Sequence, residues 1–168
     1  SELILDDSKF SRWKQAQNLM GWLNKVSEEA ISIDKLLESE NFMVVALGEC
    51  YQLYQEKLVE ENVLDFSTIQ YETLKLFEEN PDVLSAYQQN IKYLIVDEYQ
   101  DTNTIQEAIL LKLAGYHNNI CVVGDDDQSL YRFRGATVRN ILEFTSHFEK
   151  DECKQVRLSR NYRSHAGI

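Results

Sequence analysis

The sequence has few of the residues that break or cross-link a chain: one proline, six glycines and three cysteines among 168 residues. No apolar run approaches the roughly 18 residues that a membrane-spanning helix needs. Cys50, Cys121 and Cys153 are far apart and lack the CxxC or Cys/His spacing of a zinc site. No signal peptide is recognisable either. These absences argue against a membrane protein and a disulfide scaffold, and we expect a globular protein of the reducing cytoplasm.

Positive charge is scarce overall, because 28 acids against 17 bases give a net charge of -11. Nucleic-acid binding needs lysine and arginine to displace phosphate counterions, so the total at first argues against it. The charge is unevenly distributed, however. Residues 1–90 carry 17 acids against 7 bases, whereas residues 128–168 carry 4 acids against 8 bases. The acidic total therefore conceals a basic C-terminal quarter.

The first ninety residues show the periodicity of helices. Apolar residues recur at helical spacing in two stripes. The first stripe contains Trp13, Ala16, Met20 and Leu23, flanked by Leu19, Trp22 and Val26, and the second contains Val44, Leu47, Tyr51, Tyr54 and Leu58. Ser32 and Ser67 occupy positions expected of helix N-caps, and Asn62 a position where a helix can end. We predict an all-helical subdomain over residues 1–88, with the aromatic stripes in its core.

The pattern changes after Pro81 and a short helix. YLIV at 93–96 and ICVV at 120–123 are continuous apolar runs, typical of parallel strands that are buried on both faces. Between them, Thr104 and Glu107 form a candidate capping box for a helix. Glycine is a common residue at helix ends, and Gly115 is predicted to end this helix. The arrangement predicts a β-α-β unit with a right-handed crossover.

A second crossover is predicted to follow, with Thr137 as a helix cap and QVRLS at 155–159 as a third strand. Ligands bind beyond the carboxyl ends of the strands in an open parallel sheet. The residues that follow the three predicted strands are DEYQD at 97–101, GDDDQ at 124–128 and RNYR at 160–163. We therefore expect an α/β unit whose polar clusters share one edge of the sheet.

Two carboxylates, Asp97 and Glu98, follow the first predicted strand. Adjacent carboxylates at a strand end are costly unless they hold a cation or take part in chemistry. One is suited to magnesium bound to nucleotide phosphates and the other to orienting a water for attack. A solvated turn is the alternative. Gln128 is suited to sensing a terminal phosphate and Arg163 to neutralising a transferred phosphoryl group, unless Arg163 only pairs with an acid.

The basic stretch 131–134 interleaves aromatic rings with arginines. Tyr131 and Phe133 are suited to stacking on splayed bases, while Arg132 and Arg134 meet backbone phosphates. The alternative is that both rings fill a gap between a strand and a helix. Spacing alone leaves the two interpretations open.

Three motifs give the sequence a family resemblance. VDEYQDTN (96–103), VVGDDDQSLYRFRGA (122–136) and LSRNYRS (158–164) resemble, in this order, three consecutive motifs of the UvrD/PcrA/Rep family of superfamily 1 DNA helicases. The likeness is close over residues 63–164. The earlier helices resemble the family's helical 1B insertion only in character.

The resemblance implies a role for each matching residue of the nucleotide site. Asp97 would coordinate Mg²⁺, and Glu98, beside the same ion, would activate the hydrolytic water. Gln128 would contact the γ-phosphate of ATP and couple it to DNA. Tyr162 would stack on adenine, and Arg163 would act as an arginine finger.

The resemblance also implies that Tyr131, Phe133 and Arg134 contact single-stranded DNA. Two positions depart from the family's pattern. Tyr99 stands where phenylalanine is usual, and Phe133 stands where tryptophan is usual. The smaller ring at 133 puts the strength of base stacking in doubt rather than the assignment.

No GxxxxGK[ST] loop occurs in the sequence, so the phosphate-cradling Walker A loop is absent. We therefore expect a fragment of a P-loop NTPase. Residues 1–88 would be the 1B-like insertion, and residues 89–168 the later half of the first RecA-like motor domain, ending at the junction to a second motor domain. The partners implied are ATP, Mg²⁺, single-stranded DNA, duplex junctions and the rest of the helicase chain.

The expected activity is that of an ATP-dependent DNA helicase or translocase, moving 3′ to 5′, although the fragment alone should hydrolyse little ATP. One alternative is a non-catalytic remnant that binds single strands or proteins. Another is a metal-dependent nuclease with Asp97, Glu98 and residues 125–127 as ligands.

Overall fold

The computed structural model describes residues 9–128, 138–149, 152–163 and 165. The first half is a run of helices, and their bounds are α1 Lys9–Glu28, α2 Ile33–Leu37, α3 Phe42–Glu61, α4 Phe66–Glu79 and α5 Pro81–Asn90. The second half mixes strands, helices and 3₁₀ turns: β1 Leu94–Val96, a turn at Tyr99–Asp101, α6 Thr104–Ala114, β2 Ile120–Val122, a turn at Asp126–Gln128, α7 Val138–Glu143 and a turn at Phe144–His147. The described helices include none that is both long and apolar enough to cross a membrane.

The helical core lies where α1, α2 and α3 meet. Leu23, Val26, Leu36 and Tyr51 are buried there together. The Tyr51 hydroxyl lies 2.8 Å from the hydroxyl of Ser27, so the polar atom of the buried ring has a partner. The prediction of an apolar core built from helical stripes is confirmed for Leu23, Val26 and Tyr51, whereas Leu36 of α2 was not among the predicted residues.

The expected core role of the tryptophans is wrong. Trp13 is 67% exposed and Trp22 is 59% exposed. Trp13 lies ten residues, or about 15 Å of helix, before Leu23. Trp22 lies next to Leu23 in sequence, so it lies about 100° round the helix from that residue. The apolar stripe predicted from periodicity is broad, and within it Leu23 and Val26 are the residues that the structure buries.

One predicted helix cap is replaced by a neighbouring residue, and another lies at its predicted position without making a capping bond. Asp65, not Ser67, caps α4 and accepts the Thr68 amide at 2.6 Å, while Ser67 donates to Glu28 at 3.1 Å. Ser32 does occupy the N-cap position of α2, but its side chain makes no capping hydrogen bond.

Two helix ends lie where the sequence predicted them, whereas the start of one helix is capped by other residues than predicted. Asn62 ends α3 in the left-handed conformation at φ 53, and Gly115 ends α6, as predicted. The capping box of α6, however, is formed by Asn103 and Gln106 rather than by Thr104 and Glu107.

The sheet consists of two parallel strands. Its register pairs Leu94 with Ile120, Ile95 with Cys121 and Val96 with Val122, and α6 lies between the strands in sequence. The predicted β-α-β unit is therefore confirmed as a short parallel sheet joined through a helix.

Two expectations about the strands are wrong. Residues 155–159 form no strand in the described part of the chain, and Val156 and Leu158 within them are exposed, so their alternation buries no apolar face. The strands are also not buried on both faces, because Ile95 is 76% exposed and its partner Cys121 is exposed.

The helices on the two sides of residue 88 touch each other. Helices α1 and α4 both pack against α6, and α5 packs against α4 and α6. The helical half thus supports the helix that connects the two strands. The division at residue 88 stays a prediction.

Candidate nucleotide site at the strand ends

The carboxyl ends of β1 and β2 meet, as expected for parallel strands. The Val123 amide donates to the Val96 carbonyl at 2.8 Å, and the Tyr99 amide donates to the Val123 carbonyl at 2.9 Å. The polar residues after each strand therefore begin at the same edge. This brings together the first two of the three clusters predicted from the sequence.

The acid pair Asp97 and Glu98 lies exposed just beyond β1. Asp97 Oδ1 accepts the Glu98 amide at 2.9 Å, and Glu98 Oε2 accepts the side-chain amide of Gln100 at 2.7 Å. Glu98 has a left-handed backbone, with φ 53. Both carboxylates are thus held by local hydrogen bonds and still reach solvent.

These carboxylates suit Mg²⁺ better than a metal that needs a full protein cage. The described residues contain no group of three or more His, Cys, Asp or Glu side chains arranged to hold a metal. Mg²⁺ commonly keeps several waters and is bound by one or two carboxylates together with substrate phosphates. Two exposed carboxylates at a strand end fit that donor set.

Asp125 organises the turn Gly124–Gln128 after β2. Its Oδ1 accepts the Asp127 amide at 3.0 Å, and its Oδ2 accepts the side-chain amide of Gln128. Both carboxylate oxygens are therefore used within the turn. This arrangement favours a turn-shaping role for Asp125 over the metal-ligand role that the nuclease alternative requires.

Sequence reasoning missed Gln100, which joins the two turns. Its side chain is 1% exposed. Gln100 Nε2 donates to Glu98, and Gln100 Oε1 accepts the Asp125 amide at 3.0 Å. A glutamine two residues after an acid pair gives no pattern by itself, and only the approach of the second turn reveals its function.

Gly124 allows that approach. A Cβ atom at this position would lie 2.5 Å from Gln100 Oε1 and 2.7 Å from Ile141 Cδ1. Neither distance is compatible with a real side chain. The glycine at the start of the second turn is the one sequence signal that a close backbone contact occurs here.

Tyr99 lies beneath the acid pair and is fully buried. Its hydroxyl donates to Glu107 Oε1 at 2.9 Å, and its ring meets Phe144 edge to face at 5.2 Å. Burial and the Glu107 carboxylate both raise the pKa of Tyr99, so the hydroxyl stays a donor. His147 Nε2 also lies 3.5 Å from Glu107 Oε1. The hydroxyl that distinguishes Tyr99 from phenylalanine thus has a specific partner.

The third predicted cluster remains separate in the described part of the chain. Tyr162 is 81% exposed, and the Arg160 guanidinium lies 4.9 Å from its ring centroid. The Arg163 amide donates to Asn161 Oδ1 at 2.9 Å. Among the residues described, no hydrogen bond or ion pair joins Tyr162 or Arg163 to the first two clusters, and none pairs Arg163 with an acid.

The predicted DNA-contacting residues Tyr131, Phe133 and Arg134 lie outside the described residues, as does the predicted cap Thr137. Their roles stay predictions. The described chain resumes at Val138, the first residue of α7.

Comparison with known proteins adds an independent finding. A family model described as the UvrD/REP helicase N-terminal domain matches residues 2–149. The chain is 40% identical over 172 residues to the ATP-dependent DNA helicase PcrA of Bacillus subtilis, an alignment that covers 97% of this chain and 21% of that protein.

Other relatives give a similar result. The chain is 41% identical over 135 residues to the PcrA of Staphylococcus epidermidis, covering 80% of this chain and 18% of that protein. It is 46% identical over 114 residues to the DNA helicase II of Rickettsia typhi, covering 68% and 17%. The chain therefore spans 17 to 21% of the length of these curated relatives.

Proposed function

Because this chain belongs to the UvrD/REP helicase family, we propose that it is part of an ATP-dependent DNA helicase or translocase. The complete protein would couple ATP hydrolysis to 3′ to 5′ movement on single-stranded DNA, including at duplex junctions. Residues 89–168 would belong to the first RecA-like motor domain of a P-loop NTPase, and residues 1–88 to its helical insertion. One observation carries this proposal: the acid pair after β1 and the Gly124–Gln128 turn after β2 meet at one sheet edge.

The nucleotide would bind at this edge. Asp97, with Glu98 beside it, would hold Mg²⁺, and the bound ion would neutralise charge on the ATP phosphates. Glu98 would orient the attacking water and accept its proton, which requires the carboxylate to stay accessible. Its exposure, together with the hydrogen bond from Gln100 to one oxygen, leaves the other oxygen available for that task.

Gln128 would sense the γ-phosphate through its side-chain amide. That amide donates to the Asp125 carboxylate, so contact with the phosphate would exchange one hydrogen bond for another. Both bonds involve a charged acceptor, so the exchange would cost little and would depend on a phosphate within reach of the amide. Gln128 directly precedes the segment that contains Tyr131, Phe133 and Arg134, the proposed contacts with single-stranded DNA.

Tyr162 and Arg163 would complete the site from the other side. The Tyr162 ring, exposed and stacked on one face by Arg160, has the character of an adenine platform. Arg163, without an acidic partner among the described residues, would neutralise charge on the transferred phosphoryl group. Closure of a second motor domain would bring this pair to the nucleotide.

The rest of the helicase chain would cover the open face of the sheet. Ile95 and Cys121 are paired across the two strands and exposed on that face. Parallel sheets are normally covered on both faces, so an apolar face of this kind requires a partner. The Walker A region of the motor domain is the partner that we propose.

The experiment that tests this function replaces Glu98 by glutamine in the complete protein. We expect DNA-stimulated ATP turnover to fall about 100-fold or more, since a general base contributes about 10² to 10⁴. Binding of ATP should persist, because the amide keeps the shape of the side chain. Glu79→Gln, on the surface at the end of α4, is the matched control and should leave turnover unchanged.

The same assays separate the alternatives. Unaltered turnover in Glu98→Gln would contradict the proposed role. Single-strand binding without ATP hydrolysis by the unaltered protein would favour a non-catalytic remnant, and Mg²⁺-dependent strand cleavage without ATP would favour a nuclease. The 168-residue chain alone should hydrolyse little or no ATP, because it lacks a phosphate-cradling loop.

A further inference from the structure

The turn between β1 and α6, residues 97–103, is held by two buried side-chain amides. The first is Gln100, which donates to Glu98 at 2.7 Å and accepts the Asp125 amide at 3.0 Å. Both ends of the Gln100 amide are used, so its orientation is fixed. Because Gln100 is 1% exposed, water has little access to replace either bond.

The second amide is Asn140, on α7, which is also 1% exposed. Its Nδ2 lies 3.3 Å from both the carbonyl and the hydroxyl oxygen of Thr102, and 3.2 Å from the Asn103 carbonyl. Asn140 thus ties α7 to the far end of the same turn, directly before α6 begins.

Asn140 and Asp125, the residue that Gln100 bonds, lie on either side of one segment in the sequence. Asp125, the partner of Gln100, precedes residues 129–137, and Asn140 follows them. Both ends of the segment that contains the proposed DNA contacts are therefore tied to the turn that carries the acid pair.

We propose that Gln100 is a positioning residue that couples Glu98 to the Gly124–Gln128 turn, and that Asn140 is the second tether of the DNA-contacting segment. This inference deepens the proposed function and rests on it. Neither residue touches nucleotide or DNA in this scheme. Each acts through the backbone and side chains that it holds.

The physical reason is the short reach of a hydrogen bond. A donor and acceptor at 2.7 to 3.0 Å lose most of their attraction when they separate by about 1 Å. When Glu98 shifts towards an attacking water, Gln100 must therefore follow or break a bond. On the other side, Gln100 is bonded to the Asp125 amide, and the space between it and Gly124 is too small for even a Cβ atom, so a shift of Gln100 would act on the second turn.

The test uses the complete protein with Gln100→Met, which keeps the length of the side chain but removes both hydrogen bonds. We expect kcat for DNA-stimulated ATP hydrolysis to fall about tenfold or more, while KM for ATP changes less than about threefold. Asn140→Leu should reduce the stimulation by single-stranded DNA and leave the DNA-free rate within about twofold. Thermal midpoints are measured for each variant, and all assays are run well below the lowest of them.

Gln88→Met is the matched control. Gln88 is a partly buried amide that donates to the Lys112 carbonyl at 2.7 Å, where α5 meets α6. The variant loses one partly buried amide and should retain normal kcat and normal stimulation by DNA. A merely structural role for Gln100 would give the same result as this control.

A further variant keeps the test decisive if Gln100→Met fails to fold. Gln100→Asn keeps the amide group but is one methylene shorter, so it cannot hold the bonds to Glu98 and to the Asp125 amide at the same time. We expect it to fold and to lose turnover as Gln100→Met does. Normal kcat in a folded Gln100 variant overturns the inference, and so does a loss matched by the control. Absence of ATP hydrolysis in the unaltered protein would instead overturn the proposed function.

Discussion

The helical residues 9–90 and the strand-end residues 94–128 bury different kinds of side chain. In the helical region the buried cluster is apolar, and Leu23, Val26 and Leu36 pack round the ring of Tyr51, although Ser27, Ser67 and Thr68 are buried as well. The strand-end region buries Tyr99 and Ile105, and it also buries several polar side chains, most of them larger. They include Gln100, Thr102, Asn103 and Glu107, joined by Asn140 from α7.

The strand-end region also departs from the usual rule that apolar side chains are buried and polar ones exposed. The strand-end region leaves Ile95 open to solvent while it buries the amide of Gln100. Burying a polar group is costly unless it is hydrogen-bonded, so a buried amide is kept where its directional bonds are needed. The difference teaches that the helical region is organised for packing, whereas the strand-end region is organised to fix the geometry of two turns.

Leu23→Ala should break the helical side of this comparison with the largest effect. Removing a buried leucine leaves a cavity, and we expect the free energy of unfolding to fall by about 2 to 5 kcal/mol. Chemical denaturation of the chain measures the change. Ile95→Ala is the counterpart in the sheet and should cost well under 1 kcal/mol in this chain, because the side chain already lies in solvent. Equal losses would show that the open sheet face is covered in solution.

Gly124→Ala should disrupt the polar side of the comparison. The added Cβ would meet Gln100 and Ile141 at distances that force both to move, and we expect a loss of about 1 to 3 kcal/mol. Gly21→Ala is the matched control, since nothing lies within 4 Å of a Cβ at that position of α1. It should stabilise the helix by about 0.5 to 1 kcal/mol. Thermal or chemical unfolding of both variants measures the two changes. Equal changes in the free energy of unfolding would contradict the prediction.

Tyr99→Phe tests whether the buried hydroxyl contributes stability. The substitution keeps the ring against Phe144 but leaves Glu107 without its 2.9 Å donor, and we expect a loss of about 1 to 2 kcal/mol. Tyr93→Phe, at an exposed position before β1, should change little. If both variants unfold at the same denaturant concentration as the unaltered chain, the Tyr99 hydroxyl is dispensable.

Asp65→Ala sharpens the comparison from the helical side, where polar groups act mainly at helix ends. Loss of the cap on α4 should cost about 1 kcal/mol, whereas Ser32→Ala at the start of α2 should cost almost nothing, because Ser32 makes no capping bond. Unfolding of the two variants side by side provides the measurement. Equal effects would mean that the N-cap position matters here and its hydrogen bond does not.

The same aspartate predicts the smallest effect, a dependence on pH. Partial burial acts to raise the pKa of Asp65, but hydrogen bonds from Tyr54 and Thr68 outweigh it and hold the pKa below the ordinary 3.8. A depressed carboxyl pKa contributes stability above the unfolded value and loses it as pH falls through the folded value. Asp65→Asn should therefore flatten the loss of stability below about pH 4, as followed by denaturation at several pH values. An unchanged acid limb would assign that loss to other carboxyls.

The sequence predicted the features that follow from strong local patterns. The two strands, their parallel arrangement, and the helix ends at Asn62 and Gly115 were all correct. The caps of α4 and α6 were wrong because two capping residues stand close together in each case, as with Asp65 and Ser67. Local pattern alone does not decide between neighbours that can each accept a backbone amide.

Errors of burial have a different origin. Trp13, Trp22 and residues 155–159 carry apolar patterns that the described chain does not cover, because burial depends on which surface another element reaches. At the site, the predicted parallel arrangement of the strands correctly placed Asp97 and Glu98 near the second turn. Gln100 and Asn140 escaped notice because each bonds a turn that is distant in sequence, Gln100 at the Asp125 amide and Asn140 at Thr102 and Asn103, and no local pattern signals such contacts.

Glu98 also illustrates a trade-off between stability and activity. A residue with a side chain costs about 1 to 2 kcal/mol in the left-handed conformation, in which glycine is at ease. Natural selection for stability alone would therefore favour glycine at this corner of the chain. Under the proposed function, the Glu98 carboxylate would contribute to the activity of the whole protein at a local cost to the stability of its fold.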